Sequence, residues 1–154
     1  MFKRLHFRAL LLFCCFWAVR AGAQGIQNPT HWEYAAVKQG EGTYEIRISL
    51  KLDKGWHIWA IDPQGDGMQI PPTFKIESGP DGKDAPVFKE TGKKHLESME
   101  GIDKPVAFYS DSVTYSAMIR SKAGNIVKGT HTYQVCNDMI CLPPTTIPFT
   151  IKLP

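Results

Sequence analysis

Tyr44-Glu45-Ile46-Arg47-Ile48-Ser49-Leu50-Lys51-Leu52 alternates apolar and polar residues without a break. A period of two puts the five apolar side chains on one face of a strand and the four polar ones on the other. One face therefore belongs to a core and the other to water. The same signature recurs at Val113, Tyr115, Ala117 and Ile119, and at Ile147, Phe149, Ile151 and Leu153. A less regular run, Val127, Thr130, Thr132 and Gln134, is read as a strand bulged at Gly129. Shorter candidates are 32–37, 56–61, 74–77 and 87–90. Turn signals such as Gln39-Gly40-Glu41-Gly42, Asp53-Lys54-Gly55, Gly65-Asp66-Gly67 and Ala123-Gly124-Asn125 separate them. No long segment carries a helical period. Seven or eight short strands with regular turns predict an all-β, immunoglobulin-like antiparallel β-sandwich, with a closed barrel as the rival. The stretch from Gly79 to Lys104 is weakly patterned and reads as connection.

The chain of 154 residues is 43% hydrophobic and 21% charged, an ordinary globular composition that excludes disorder, collagen and coiled coil. Its net charge of +3 belongs to the whole chain and owes four basic residues to its first 23 positions. Lys3, Arg4 and Arg8 precede an apolar run from Ala9 to Val19, and Ala21-Gly22-Ala23 follows as an A-x-A cleavage pattern. Residues 1–23 are therefore expected to be a secretory signal peptide, with a 24–154 domain exported, most plainly to a periplasm. The apolar run is too short to span a bilayer, which takes about 20 residues. An uncleaved anchor is the alternative. Removing Lys3, Arg4, Arg8 and Arg20 leaves 14 basic against 15 acidic residues, so no nucleic-acid footprint is expected.

Cys14 and Cys15 leave with the signal peptide, and Cys136 and Cys141 remain in a compartment that permits disulfides. They follow a strand and precede Leu142-Pro143-Pro144, where two prolines cannot donate to a ladder, so the pair closes a tight loop at an edge or end of the sandwich. A bridge over so short a loop constrains the unfolded chain by about 2 kcal/mol, against about 4 kcal/mol for one spanning some 60 residues. Spacing alone leaves three readings open. One is a redox-active dithiol, whose second thiol stays near to resolve a mixed disulfide. The second is a structural staple. The third is a soft-metal site using both cysteines, Met139 and a histidine. Asp138, lying between the cysteines, disfavours a thiolate by like charge.

Tyr133-Gln134-Val135-Cys136 followed by Cys141-Leu142-Pro143-Pro144 resembles the active-site segment of the N-terminal periplasmic domain of the DsbD family of thiol:disulfide interchange proteins. Gly55-Trp56-His57-Ile58-Trp59 with Pro71-Pro72-Thr73-Phe74 is similar to that family's aromatic strand and Pro-Thr segment, and Phe108-Tyr109-Ser110 to its cap loop. The similarity runs from about Trp32 to Leu153. It implies an immunoglobulin-like fold and a dithiol, Cys136 and Cys141, needing no metal or organic cofactor. The dithiol would draw electrons from a membrane-embedded donor and pass them to exported thioredoxin-like partners, such as disulfide isomerases and cytochrome-maturation proteins. Cys141 matches the cysteine that joins the partner, and Cys136 the one that resolves the intermediate. Phe108 matches the shielding ring, with Tyr109 beside it. His57 and Trp59, which share a strand face, match lining positions, and Tyr133 belongs to the cysteine segment.

Three departures stand out. Four residues separate the cysteines, where some members have five. Val106 and Ala107 precede Phe108, where acidic residues are common. The chain as given ends at Pro154 without a membrane or thioredoxin-like domain, so either a separate protein supplies electrons or the domain serves another use. The rival from another class is a non-catalytic binding or adhesion domain with a stapled loop, in which Trp56, Trp59 and Phe108 are core or ligand-contact residues.

Overall fold

The computed structural model describes residues 28–78 and 85–154, so the signal-peptide expectation lies outside the described residues. The diagnostic stretch forms β2 (Thr43–Leu52), and its apolar residues Tyr44, Ile46, Ile48, Leu50 and Leu52 are all buried. It lies between β1 (Thr30–Gly40) and β8 (Ser112–Arg120), both antiparallel, so that Ile48 faces Tyr34 on one side and Tyr115 on the other. β5 (Lys89–Gly92) extends this sheet along β8. A second sheet has the order β11-β9-β4, built from β4 (Thr73–Ser78), β9 (Ile126–Tyr133) and β11 (Thr145–Lys152). A third has the order β10-β3-β7-β6, built from β3 (His57–Gln64), β6 (His95–Glu97), β7 (Val106–Tyr109) and β10 (Val135–Cys136). The inward faces of all three sheets meet in one apolar cluster, and every pairing is antiparallel. This is the expected immunoglobulin-like sandwich with open sheets rather than a closed barrel.

Two expectations are corrected. The stretch from Gly79 to Lys104 is not only connection, because in its described part the 87–90 candidate appears two residues later as β5 and an unanticipated β6 follows. Gly129 is not a bulge. It stays in register with both Phe149 and Ile76, and the irregularity falls on β4 between Ile76 and Ser78. The inward residues of β9 are therefore Val127, Gly129, His131 and Tyr133, while Thr130 and Thr132 face outward. A glycine without a side chain and a histidine in a core position hide the alternation from an apolar count.

Gly129 is small because β4 and β11 close on it. A Cβ there would meet the Lys75 carbonyl and approach Phe149 Cζ to 2.6 Å. A backbone carbonyl in a ladder cannot step aside, so we expect Gly129→Ala to destabilise the domain by about 2 kcal/mol, in the range of core overpacking. Urea titration of both proteins checks it; an unchanged midpoint contradicts it.

The third sheet positions the site. Side chains alternate across a sheet, and here the two faces serve two clusters. Ile58, Ala60, Ala107, Tyr109 and Val135 enter the main core. Trp59, Val106, Phe108 and Cys136 enter a separate cluster on the other face, with Met99 and Ile102 packed against it. β7 is buried on both sides for this reason.

Candidate functional site

Cys136 and Cys141 are disulfide-bonded and sit opposite each other as an antiparallel bridge, with Cα atoms 3.9 Å apart. The hairpin between them is fixed locally. Leu142 N–H donates to the Val135 carbonyl at 2.9 Å and Asn137 N–H to the Ile140 carbonyl at 2.8 Å. The Asn137 side-chain oxygen accepts from the Met139 and Ile140 amides, each at 2.9 Å, an Asx turn that shapes a loop of only four residues. The two sulfurs meet different surroundings. Cys136 is 2% exposed among Trp59, Val106 and Phe108, whereas Cys141 lies on the exposed stretch that begins at Asp138. Met139, at the tip, is turned to solvent.

A row of rings runs across the outer face of the third sheet. Cys136 pairs in register with His57, Trp59 with Phe108, and Phe108 with His95. The His57 ring lies 4.9 Å from Trp59 and 5.1 Å from Phe108. Phe108 meets Trp59 edge-on, with centroids 6.5 Å apart, and stacks on His95 at 5.1 Å. His95 is held from behind by the Ser110 hydroxyl at 3.1 Å and by Glu97 at 3.4 Å. His57, Trp59, Phe108, Ser110, Glu97 and the cysteines line a cavity of about 570 Å³, together with Gly55, Trp56, Met99, Glu100, Asn137 and Asp138, while His95 stands behind Phe108.

The ionisable groups lining this cavity, apart from the cysteines, are His57, Glu97, Glu100 and Asp138; no Lys or Arg lines it. Burial lowers the His57 pKa below the usual histidine value, and the Asp138 carboxylate partly offsets that by favouring the imidazolium. Among the described residues, no group of three or more His, Cys, Asp or Glu side chains could hold a metal ion. No helix among them is long and apolar enough to cross a membrane.

A family profile described as "Thiol:disulfide interchange protein DsbD, N-terminal" matches residues 24–152. The chain belongs to this family. Among solved structures, the reduced DsbD N-terminal domain of Neisseria meningitidis is 17% identical, with a TM-score of 0.51 over 80% of this chain and 85% of that one. The N-terminal periplasmic domain of ScsB from Proteus mirabilis is 15% identical, with a TM-score of 0.54 over 83% of this chain and 49% of that one. A complex of the DsbD and PilB N-terminal domains from N. meningitidis also matches, at 17% identity and a TM-score of 0.51 over 83% of this chain and 88% of that one. At these identities the structures establish the fold alone. No curated protein matches the sequence significantly.

Within this DsbD N-terminal fold, Cys136, Cys141, His57, Trp59 and Phe108 come together at one cavity. Tyr109 and Tyr133 do not. Strand alternation turns Tyr109 away from Phe108 into the main core, 1% exposed, with Lys94 Nζ 5.9 Å from its ring centroid on that side. Tyr133 also joins the main core, its hydroxyl 2.9 Å from Thr30 Oγ1. The cap segment is also not a free loop, since Phe108 and Tyr109 end strand β7 and the turn begins at Ser110.

The residues that sequence reasoning missed are His95, Glu97, Met99 and Glu100, all in the stretch taken for connection. The acidity absent before Phe108 thus enters the site from the end of β6 and from the cysteine hairpin. A His95-Leu96-Glu97 alternation was the only local signal, and three residues are too few to separate an edge strand from a loop.

Proposed function

We propose that the chain is an exported, periplasmic thiol:disulfide exchange domain, freed of residues 1–23, which relays electron pairs through Cys136 and Cys141. The donor is membrane-embedded and the acceptors are thioredoxin-like proteins. The observation that carries this reading is the asymmetry of the disulfide. Cys141 is an exposed residue, and Cys136 is buried in a cluster with Trp59 and Phe108 in the same cavity. A bridge whose sole task is to staple a four-residue hairpin has no need of either arrangement. Membership of the DsbD N-terminal family supports the same chemistry, and a relative seen in complex with a PilB N-terminal domain is an instance of such a fold docking another domain.

In the reduced domain, the Cys141 thiolate attacks a partner disulfide. A Cys141–partner bond forms, the partner's own S–S bond breaks, and its second sulfur leaves as a thiolate. Cys136, five residues away and already facing Cys141, then attacks the Cys141 sulfur. The internal disulfide re-forms and the partner departs with both electrons. Recharging runs in reverse: a donor thiolate attacks exposed Cys141, Cys136 leaves as a thiolate, and the donor's second thiol completes its own disulfide. Phe108, wedged between His57, Trp59 and His95, keeps small oxidants from the buried sulfur.

Single-cysteine variants test this with a thioredoxin-fold disulfide isomerase that keeps only one active-site cysteine, activated as its nitrothiobenzoate mixed disulfide, so that nitrothiobenzoate is the leaving group and no second partner thiol reverses the adduct. Reduced Cys136→Ser is expected to accumulate a mixed disulfide visible on a non-reducing gel, and reduced Cys141→Ser to give none. Adducts formed only by Cys141→Ser would reverse the two roles, and adducts from neither would contradict the relay.

A further inference from the structure

Cys136 poses a problem for its own role. To resolve a mixed disulfide it must become a thiolate, yet it is 2% exposed and walled by Trp59, Val106 and Phe108. Burial in apolar surroundings disfavours the thiolate and leaves little solvent beside the sulfur to take its proton. A base in contact with the sulfur would remove that obstacle. The groups facing this point from every element packed around it are few. β3 supplies His57, the cysteine hairpin supplies Asp138 and Cys141, and the end of β6 with the segment after it supplies Glu97 and Glu100. His95 stacks on Phe108 and is engaged with Ser110 and Glu97.

Cys136 has two cross-strand partners, Cys141 to which it is bonded and His57 on β3, and directly opposed residues carry their Cβ atoms about 5 Å apart on one face. The His57 Nε2 is buried and has no hydrogen-bond partner while the disulfide is closed. A buried ring nitrogen without a partner is costly and calls for an explanation. The sulfur of Cys136, once reduced, is a donor on the same face. Trp59 and Phe108 hold the ring in place from two sides.

Resting on the relay reading above, we propose that His57 is the proton-handling residue for Cys136. In the resolving step Nε2 takes the Cys136 proton as the sulfur's electron pair goes to Cys141. The Cys141–partner bond breaks, and the partner leaves as a thiolate. In the charging step the imidazolium returns that proton to Cys136 as it leaves Cys141. Neutral at pH 7 because of its burial, His57 is free to act as a base, and the Asp138 carboxylate stabilises the imidazolium that results. Cys141, at the surface, needs no such help.

Stopped-flow reaction of the reduced domain with dithiobis-nitrobenzoate separates the two steps. Cys141 attack releases the first nitrothiobenzoate, and Cys136 releases the second. His57→Phe keeps an aromatic ring between Trp59 and Phe108 without the nitrogen, and His57→Gln keeps a polar group without a useful base; circular dichroism establishes that each is folded. Both are expected to leave the first phase unchanged and to slow the second on the order of 10²-fold at pH 7, the usual scale of general-base assistance. The gap should narrow as pH rises past the thiol's own pKa, about 8.5 or higher when buried. If the wild-type domain released only one equivalent, the relay itself would fail, and this proposal with it. Two equivalents from all three proteins, with the same second-phase rate and pH profile, would overturn the role of His57 and leave the relay standing.

Discussion

Reduced Cys141→Ser is expected to transfer no electrons to a thioredoxin-fold acceptor, while reduced Cys136→Ser still attacks and then stops. The difference follows from where each sulfur sits. An acceptor's disulfide is part of a folded protein and cannot reach a side chain that is 2% exposed beneath Trp59 and Phe108. Only the sulfur on the exposed side of the hairpin is accessible, and serine there is no nucleophile toward a disulfide at neutral pH, since the thiolate is the reacting species. Cys136→Ser keeps the exposed thiol and removes the internal competitor, so with an acceptor that lacks its own second cysteine the mixed disulfide lives until an outside thiol resolves it. Neither change should unfold the domain. The bridge closes a loop of about six residues and constrains the unfolded chain by only about 2 kcal/mol, and the main core lies on the opposite face of the third sheet. Steady-state transfer, measured beside thermal melts, checks both halves. Activity in a folded Cys141→Ser variant would contradict the assignment.

The second large effect concerns acid stability. His131 is 1% exposed and surrounded by Trp32, Tyr34, Phe74, Tyr133 and Phe149. Its Nε2 meets the Tyr34 hydroxyl at 2.8 Å, and its Nδ1 is buried with no partner. Protonation would make both nitrogens donors and leave one N–H facing an apolar wall, so burial lowers the pKa to about 4. In the unfolded chain the value is about 6.5. Between these values the unfolded state binds the extra proton, so stability falls as pH drops from about 6.5 to about 4. At about 1.4 kcal/mol per unit, the total loss approaches about 3 kcal/mol. His131→Phe should flatten this part of the profile. Carboxylates held below their ordinary values, such as Glu45 beside Arg47, are common to both proteins and cancel in the comparison. Chemical denaturation at pH 7 and pH 4.5 measures it; an equal loss of stability in both proteins would contradict the assignment.

The parts of this molecule that could be read from sequence are those where one residue type reports one environment. β2 was legible because every second residue is apolar and every other one polar, and it became the centre of its sheet. His57 and Trp59 were placed on one face by spacing alone, and alternation does the rest, turning Ile58 inward and Cys136 outward beside them. β9 was misread because its inward row includes Gly129 and His131, selected for close approach and ring packing rather than for hydrophobicity. β7 resisted for the opposite reason: with both faces covered, Val106 to Tyr109 has no alternation to show. Tyr109 was drawn to the site by its neighbour Phe108, although adjacent residues on a strand face apart. The acidic rim could not be foreseen, since Glu97 and Glu100 reach the cysteines only through pairing of β6 with β7.

On the proposed relay, the Cys136–Cys141 bridge opens and closes. Its reduction potential, measured on residues 24–154 in glutathione buffers with far-ultraviolet circular dichroism followed in parallel, tests this most directly. The expected result is a potential within the range of exchange proteins, roughly −120 to −270 mV, and a β spectrum that survives reduction. A potential below about −300 mV, or loss of the fold as the bridge opens, would make the disulfide a staple and the cavity beside it a binding site.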